Sequence, residues 1–160
     1  RQVADHPDQV LESINGIVHR QLEGNFVTSC YAYLDLEQGI VATASAGHLP
    51  LILLHRHTGV IERLKPSGKV HGIYPEVTYQ IARTDIARGD RVVMYSDGVV
   101  EAGSSGNELY GQQRFEQFIQ DNVTLPAADF CRVLRENVTA FTGNPVNHED
   151  DYTLIVVDVV

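Results

Sequence analysis

Helix-type spacing of apolar residues occurs only on the two flanks of this sequence, and that pattern removes most architectures. Residues 7–22 carry Val10, Leu11, Ile14, Ile17, Val18 and Leu22 at three- and four-residue intervals behind Pro7, a favourable first-turn residue. Residues 112–121 and 126–141 make a second helical block, the latter with a stripe of Phe130, Val133, Leu134, Val138 and Phe141 and with Thr124 as its expected cap. Between the blocks lie only short β-type runs, at 26–34, 39–46, 49–54, 60–64, 76–83 and 91–96, and one more strand closes the chain at 152–160. Strands that follow one another through tight turns pair antiparallel, so the pattern is α+β and not a wound βαβ sheet. Within 76–83, Val77, Tyr79 and Ile81 alternate onto one face. The closing strand is β-branched and almost continuously apolar, which predicts a central position covered on both faces.

Length and charge narrow the function classes. One hundred and sixty residues suit one domain, 1–160, with a core of its own. The longest apolar run, 49–54, is strand-sized and far short of a bilayer span. A formal charge of −9 argues against a nucleic-acid partner and suits a site that gathers divalent cations. Cys30 and Cys131 stand far apart without a CxxC pattern, which fits two structural thiols and a reducing, cytoplasmic setting. The chain starts at Arg1-Gln2-Val3 with no initiator Met or signal-peptide pattern, so it reads as cut from something longer.

Two acidic clusters carry the chemistry. The strand 91–96 runs straight into Asp97-Gly98, and Glu149-Asp150-Asp151 precedes the last strand. Carboxylates at the ends of neighbouring strands would converge on one edge of a sheet, where Mg²⁺ or Mn²⁺ finds the oxygen ligands it favours. The competing reading is that Asp-Gly and Asp-Asp are turn residues that simply end and start strands. Residues 65–75 form a Gly- and Pro-containing loop longer than a turn needs, a length often found in functional or mobile segments. His55 and His57 could share a strand face, but no third ligand accompanies them and a solvent-exposed role is expected.

Ser96-Asp97-Gly98-Val99 with Glu101-Ala102, followed by Gly106, Glu108, Tyr110-Gly111 and Arg114, resembles the signature of the SpoIIE-type branch of the PP2C-like metal-dependent serine/threonine phosphatases. Further pieces fall in that family's order. Phe26-Val27-Thr28 with Tyr31 and Leu34-Asp35 resembles its F-x-T-x-x-Y-x-x-L-D strand, and Ala46-Gly47-His48 with Pro50 its N-A-G-H-x-P corner, Ser45 standing for Asn. Ala87-Arg88-Gly89-Asp90 resembles its turn before the metal strand, and Asp150-Asp151-Tyr152-Thr153-Leu154 its D-D-x-T-L ending.

The resemblance implies a mostly antiparallel β-sandwich flanked by helices, in α-β-β-α layers, incomplete at the N-terminus. It implies two Mn²⁺ or Mg²⁺ ions in the complete domain, with Asp97 and Asp150 as ligands. Asp151 and Gly98 are implied as supporting positions, and His48 as either a metal-binding or a structural corner residue. The implied reaction is hydrolysis of phosphoserine or phosphothreonine in a regulatory protein of the anti-sigma-factor antagonist type. An upstream sensor or regulatory domain is implied as well, and the whole could be attached to a membrane.

Two departures matter. The family's first metal motif, D-x-S/G-G-H-G, is not found and would lie before Arg1, and its G-x-P-L-G loop is altered to Gly68-Lys69-Val70-His71-Gly72. The expectation is therefore an N-terminally truncated domain, inactive by itself, with a sheet edge or apolar surface exposed that favours a homodimer. A non-catalytic phosphatase-like module that binds partners or dimerises is the alternative.

Overall fold

The structure, a computed structural model, describes residues 3–143 and 151–160. In chain order it contains α1 (Pro7–Val18), β1 (Ser29–Asp35), β2 (Ile40–Ala46), β3 (Leu51–His55), β4 (Val60–Leu64), β5 (Ala82–Asp85), β6 (Arg91–Tyr95), α2 (Asp97–Val100), α3 (Gly111–Asp121), α4 (Ala127–Thr142) and β7 (Leu154–Asp158). The α+β class holds. The strands form two sheets, ordered β1-β2-β5 and β4-β3-β6-β7, and the recorded pairings are antiparallel. Two compact units result, Arg1–Leu51 with Arg63–Ala87 and Ile52–Glu62 with Arg88–Val160.

In the first unit, α1 lies against β1 and β2. Leu11 buries its side chain with Ala44, Ala46 and Tyr79, and Ile14, Tyr31 and Val77 pack around them. Small residues at 44 and 46 leave room for the helix, as expected where a helix crosses a sheet closely. The expected strand at 76–83 is much shorter than the alternation suggested. Only Ala82–Asp85 pairs, ending at Thr43↔Ala82. Beyond that register the flank of β2 is taken by the 65–70 loop: a Cβ on Gly68 would lie 1.9 Å from the Ser45 carbonyl, and Gly47 N–H donates to Gly68 O at 3.1 Å. Gln80 N–H therefore donates to Ser67 O, and Val77 and Tyr79 stay inward without a ladder.

In the second unit, Val92, Val93 and Tyr95 of β6 are buried with Phe115, Phe118, Ile119, Phe130, Leu134 and Val138 from the helices. Arg91 is wholly buried: Nε and Nη2 donate to the two Asp158 carboxylate oxygens at 2.6 and 3.0 Å, Nη2 also donates to Leu125 O, and the guanidinium lies 4.7 Å from the Phe130 ring centroid. Asp158 Oδ2 also accepts from Ala127 N–H at 3.1 Å, so β7 caps α4 from a distance. Thr124 does not cap; Pro126 holds that position without a side-chain bond. An orphan helix N–H needs any acceptor, not a local one.

The closing strand corrects another expectation. Among the described residues β7 is an edge strand paired to β6 alone, with Ile155 51% and Val157 39% exposed. Its continuous apolar run reflects alternation between a core face and an outward face that also happens to be apolar. No helix among the described residues is long and apolar enough to cross a membrane.

Candidate functional site

The site is built where β6 ends. Tyr95 pairs with Leu154, so the residues just beyond them, Ser96 on one strand and Asp151–Thr153 on the other, fall side by side. Ser96 joins them three times. Its N–H donates to Thr153 O at 3.0 Å, its hydroxyl donates to Asp151 O at 2.8 Å, and the same hydroxyl accepts Thr153 N–H at 2.9 Å. Backbone pairing thus continues past the last ladder position through one side chain. A hydroxyl can do this because it both donates and accepts.

Asp97 follows at the first position of α2, a single turn that the sequence reading did not anticipate. Its side chain is exposed, and Oδ1 accepts Gly98 N–H at 3.0 Å. Gly98 is buried beside it, followed by buried Val99 and Val100, which anchor the turn. Asp151 is exposed, and its carboxylate accepts no hydrogen bond among the described residues. Asp150 lies outside the described residues. Open carboxylates around a strand end are the donors a hard divalent cation takes, so the residues present fit such an ion. Among the described residues no group of three or more His, Cys, Asp or Glu side chains converges as a metal site.

His48 belongs to the first unit. Its ring Nδ1 lies 3.1 Å from Thr28 Oγ1, and Ser45 Oγ accepts the His48 N–H at 3.0 Å while donating to His48 O at 3.2 Å. Gly47, at φ +68, makes the corner between them, a backbone conformation that glycine adopts freely.

Other motif residues are occupied structurally. Arg114 Nη2 donates to Glu108 at 2.6 Å, its Nη1 donates to the Leu109 and Tyr110 carbonyls, and its guanidinium stands over Phe141. Tyr110 donates to Asn137 at 2.7 Å, and burial pushes its hydroxyl up to about 12 against the opposing Arg114 charge. The 106–114 motif is therefore a staple for α3 and α4. His55 is not simply solvent-facing: Nδ1 lies 3.1 Å from buried Asp90 and Nε2 lies 3.5 Å from Glu62. Cys30 and Cys131 are free and half-buried, and burial raises both thiols.

Strand order, helices and the acid-bearing strand end define the class as the PP2C-type phosphatase fold. The chain is similar to the SiaA-PP2C domain of Pseudomonas aeruginosa, with a TM-score of 0.76 over 98% of this chain and 65% of that one at 16% identity. It is similar also to the phosphatase domain of SpoIIE from Bacillus subtilis, with a TM-score of 0.67 over 95% of this chain and 64% of that one at 18% identity. The model of the family described as Stage II sporulation protein E (SpoIIE) matches residues 2–160, and the chain belongs to that family. Phosphoserine phosphatase RsbU of Bacillus subtilis (strain 168) is 26% identical over 153 residues, 95% of this chain. The chain spans 45% of that relative's length.

Proposed function

We propose that the protein carrying this chain is a metal-dependent protein serine/threonine phosphatase whose cation ligands include Asp97 and Asp150. Asp151 and Gly98 act in support, and His48 holds the corner of its own unit. The observation that carries this reading is the Ser96 clasp, which ties the strand end bearing Asp97 to the backbone of Asp151. Family membership supports it, as do RsbU, named a phosphoserine phosphatase, and the SpoIIE phosphatase domain, described as Mn presoaked. Mn²⁺ or Mg²⁺, when bound, supplies the chemistry of a lowered water pKa and neutralised phosphoryl charge. Of the chain's own groups, Ser96 fixes the strand ends, Asp97 brings negative charge to the edge, and the Gly98 N–H holds one Asp97 oxygen in place.

The substrate class is a phosphorylated regulatory protein of the anti-sigma-factor antagonist type, and the control domain is upstream. The family match runs through both compact units, which supports reading 1–160 as one phosphatase-type domain. The family's first metal motif, D-x-S/G-G-H-G, is not found within 1–160, and this supports an isolated chain without turnover. A second reading, a phosphatase-like module that dimerises or binds without turnover, draws on outward-facing Ile155 and Val157 of β7.

The test is Mn²⁺-dependent release of phosphate from a phosphoserine protein by the full-length protein and its Asp97→Asn variant. Turnover that the substitution abolishes supports the phosphatase. Turnover unaffected by it refutes the ligand assignment, and a wild type without Mn²⁺ affinity favours the binding module.

A further inference from the structure

The chain contains two lysines, Lys65 and Lys69, against ten arginines, and both lysines line one cleft of about 760 Å³ in the first unit. The Ser45–His48 corner lines it together with the 65–69 loop and with Glu76, Val77, Thr78 and Gln80. The volume falls within the range of roughly 300–1,000 Å³ typical of ligand sites. Neither lysine has a carboxylate partner among the described residues, in a chain with 21 acids.

The cleft is preformed. Its loop is fastened to the corner by Gly47 N–H to Gly68 O, and to the 76–80 segment by Gln80 N–H to Ser67 O at 3.3 Å. Lys69 Nζ sits 4.0 Å over the Tyr74 ring. Helix α1 holds the far end: Asn15, 2% exposed, donates to Tyr74 O at 2.9 Å and accepts Gly72 N–H at 3.1 Å. A fixed wall spares a ligand the cost of ordering it.

We propose that this cleft docks an acidic segment of the phosphorylated protein substrate, with its carboxylates on the Lys65–Lys69 lip; the proposal rests on the phosphatase reading for the identity of that partner. Lysine suits this task because its ammonium is a mobile point charge that accepts acids in many arrangements. Glu76 is the one acid in this lining, against the two lysines. Ser67, Thr78 and Gln80 supply polar groups for a peptide backbone.

Fluorescence anisotropy on the full-length protein tests this with three labelled peptides of equal length: Asp/Glu-rich with one phosphoserine, the same without phosphate, and Lys-rich. Both acidic peptides are expected to bind in a salt-sensitive manner, the Lys-rich one not at all. Lys65→Glu with Lys69→Glu should weaken binding about tenfold or more, and the paired Lys→Gln variant by less. Melting curves of these surface variants report whether they fold. No saturable binding by the wild type, or equal affinity in the folded charge-reversal variant, overturns the proposal. Asp97→Asn separates the two readings: acidic-peptide binding that persists in a protein without turnover upholds the groove whatever the chemistry. Phosphoprotein turnover whose KM ignores Lys65 and Lys69 overturns the groove and leaves the phosphatase standing.

Discussion

The Ser96 hydroxyl donates to the Asp151 carbonyl at 2.8 Å, and this contact joins the strand end beside Asp97 to the backbone of Asp151. The same oxygen accepts Thr153 N–H, so one small side chain bonds two backbone groups across the sheet edge. Glycine or alanine at 96 would leave both without that partner.

Ser96→Ala is therefore expected to cost about 1 kcal/mol of stability. It should also weaken Mn²⁺ binding about tenfold, because the strand ends lose their fixed spacing. Urea denaturation and a Mn²⁺ titration of the same preparation measure both effects. A stability loss with unchanged Mn²⁺ affinity would make the clasp purely structural.

The Arg91–Asp158 pair should dominate acid sensitivity in the second unit. Burial alone would raise the Asp158 carboxyl, but hydrogen bonds and charge from Arg91, the Arg56 charge and the Ala127 N–H hold it below its ordinary value. A depressed carboxylate contributes stability above its unfolded pKa and loses it as pH falls through the folded one. Asp158→Asn should remove that acid-side dependence and cost roughly 3 kcal/mol at neutral pH, since it strands a buried guanidinium. Denaturant midpoints from pH 7 down to pH 3 check the sign and the size.

His71 gives the opposite case at milder pH. It is 1% exposed, with Nε2 2.7 Å from Ser29 Oγ and Nδ1 2.9 Å from Tyr79 OH, and burial lowers its pKa. The unfolded chain then binds the proton first, so stability is full above the ordinary histidine value and declines as pH falls below it. Comparing wild type with His71→Gln between pH 7.5 and pH 5 should show a shallower decline in the variant. Parallel curves would contradict the assignment.

Gly68→Ala tests the close approach that displaces the expected strand. The added Cβ would meet the Ser45 carbonyl at 1.9 Å and Tyr79 at 2.7 Å, so the loop must move. A loss of roughly 2 kcal/mol is expected, along with altered protection of the Gly47 amide in hydrogen exchange.

These contacts also explain what was legible in the sequence. Apolar spacing located α1, α3 and α4, and turn residues separated β1 to β4, because those signals are local. The alternation of Val77, Tyr79 and Ile81 was correctly inward-facing at Val77 and Tyr79, yet the ladder was lost to Gly68, whose contact with Ser45 is long-range. The apolar run 152–160 gave a strand but not its edge position, since hydrophobicity does not report which neighbours are present. Asp97 was legible as an acid ending a strand. The Ser96 clasp was not, because it depends on the Tyr95↔Leu154 register, and α4's cap was missed because it comes from Asp158.

Calorimetric titration of Mn²⁺ into the full-length protein, its Asp97→Asn variant and its Asp150→Asn variant tests the central claim most directly. Losing a direct ligand should exceed the loss seen for an outer contact, so each substitution is expected to weaken binding by more than about tenfold with the fold intact. Mn²⁺ affinity unchanged in both variants would contradict a cation site at this strand end.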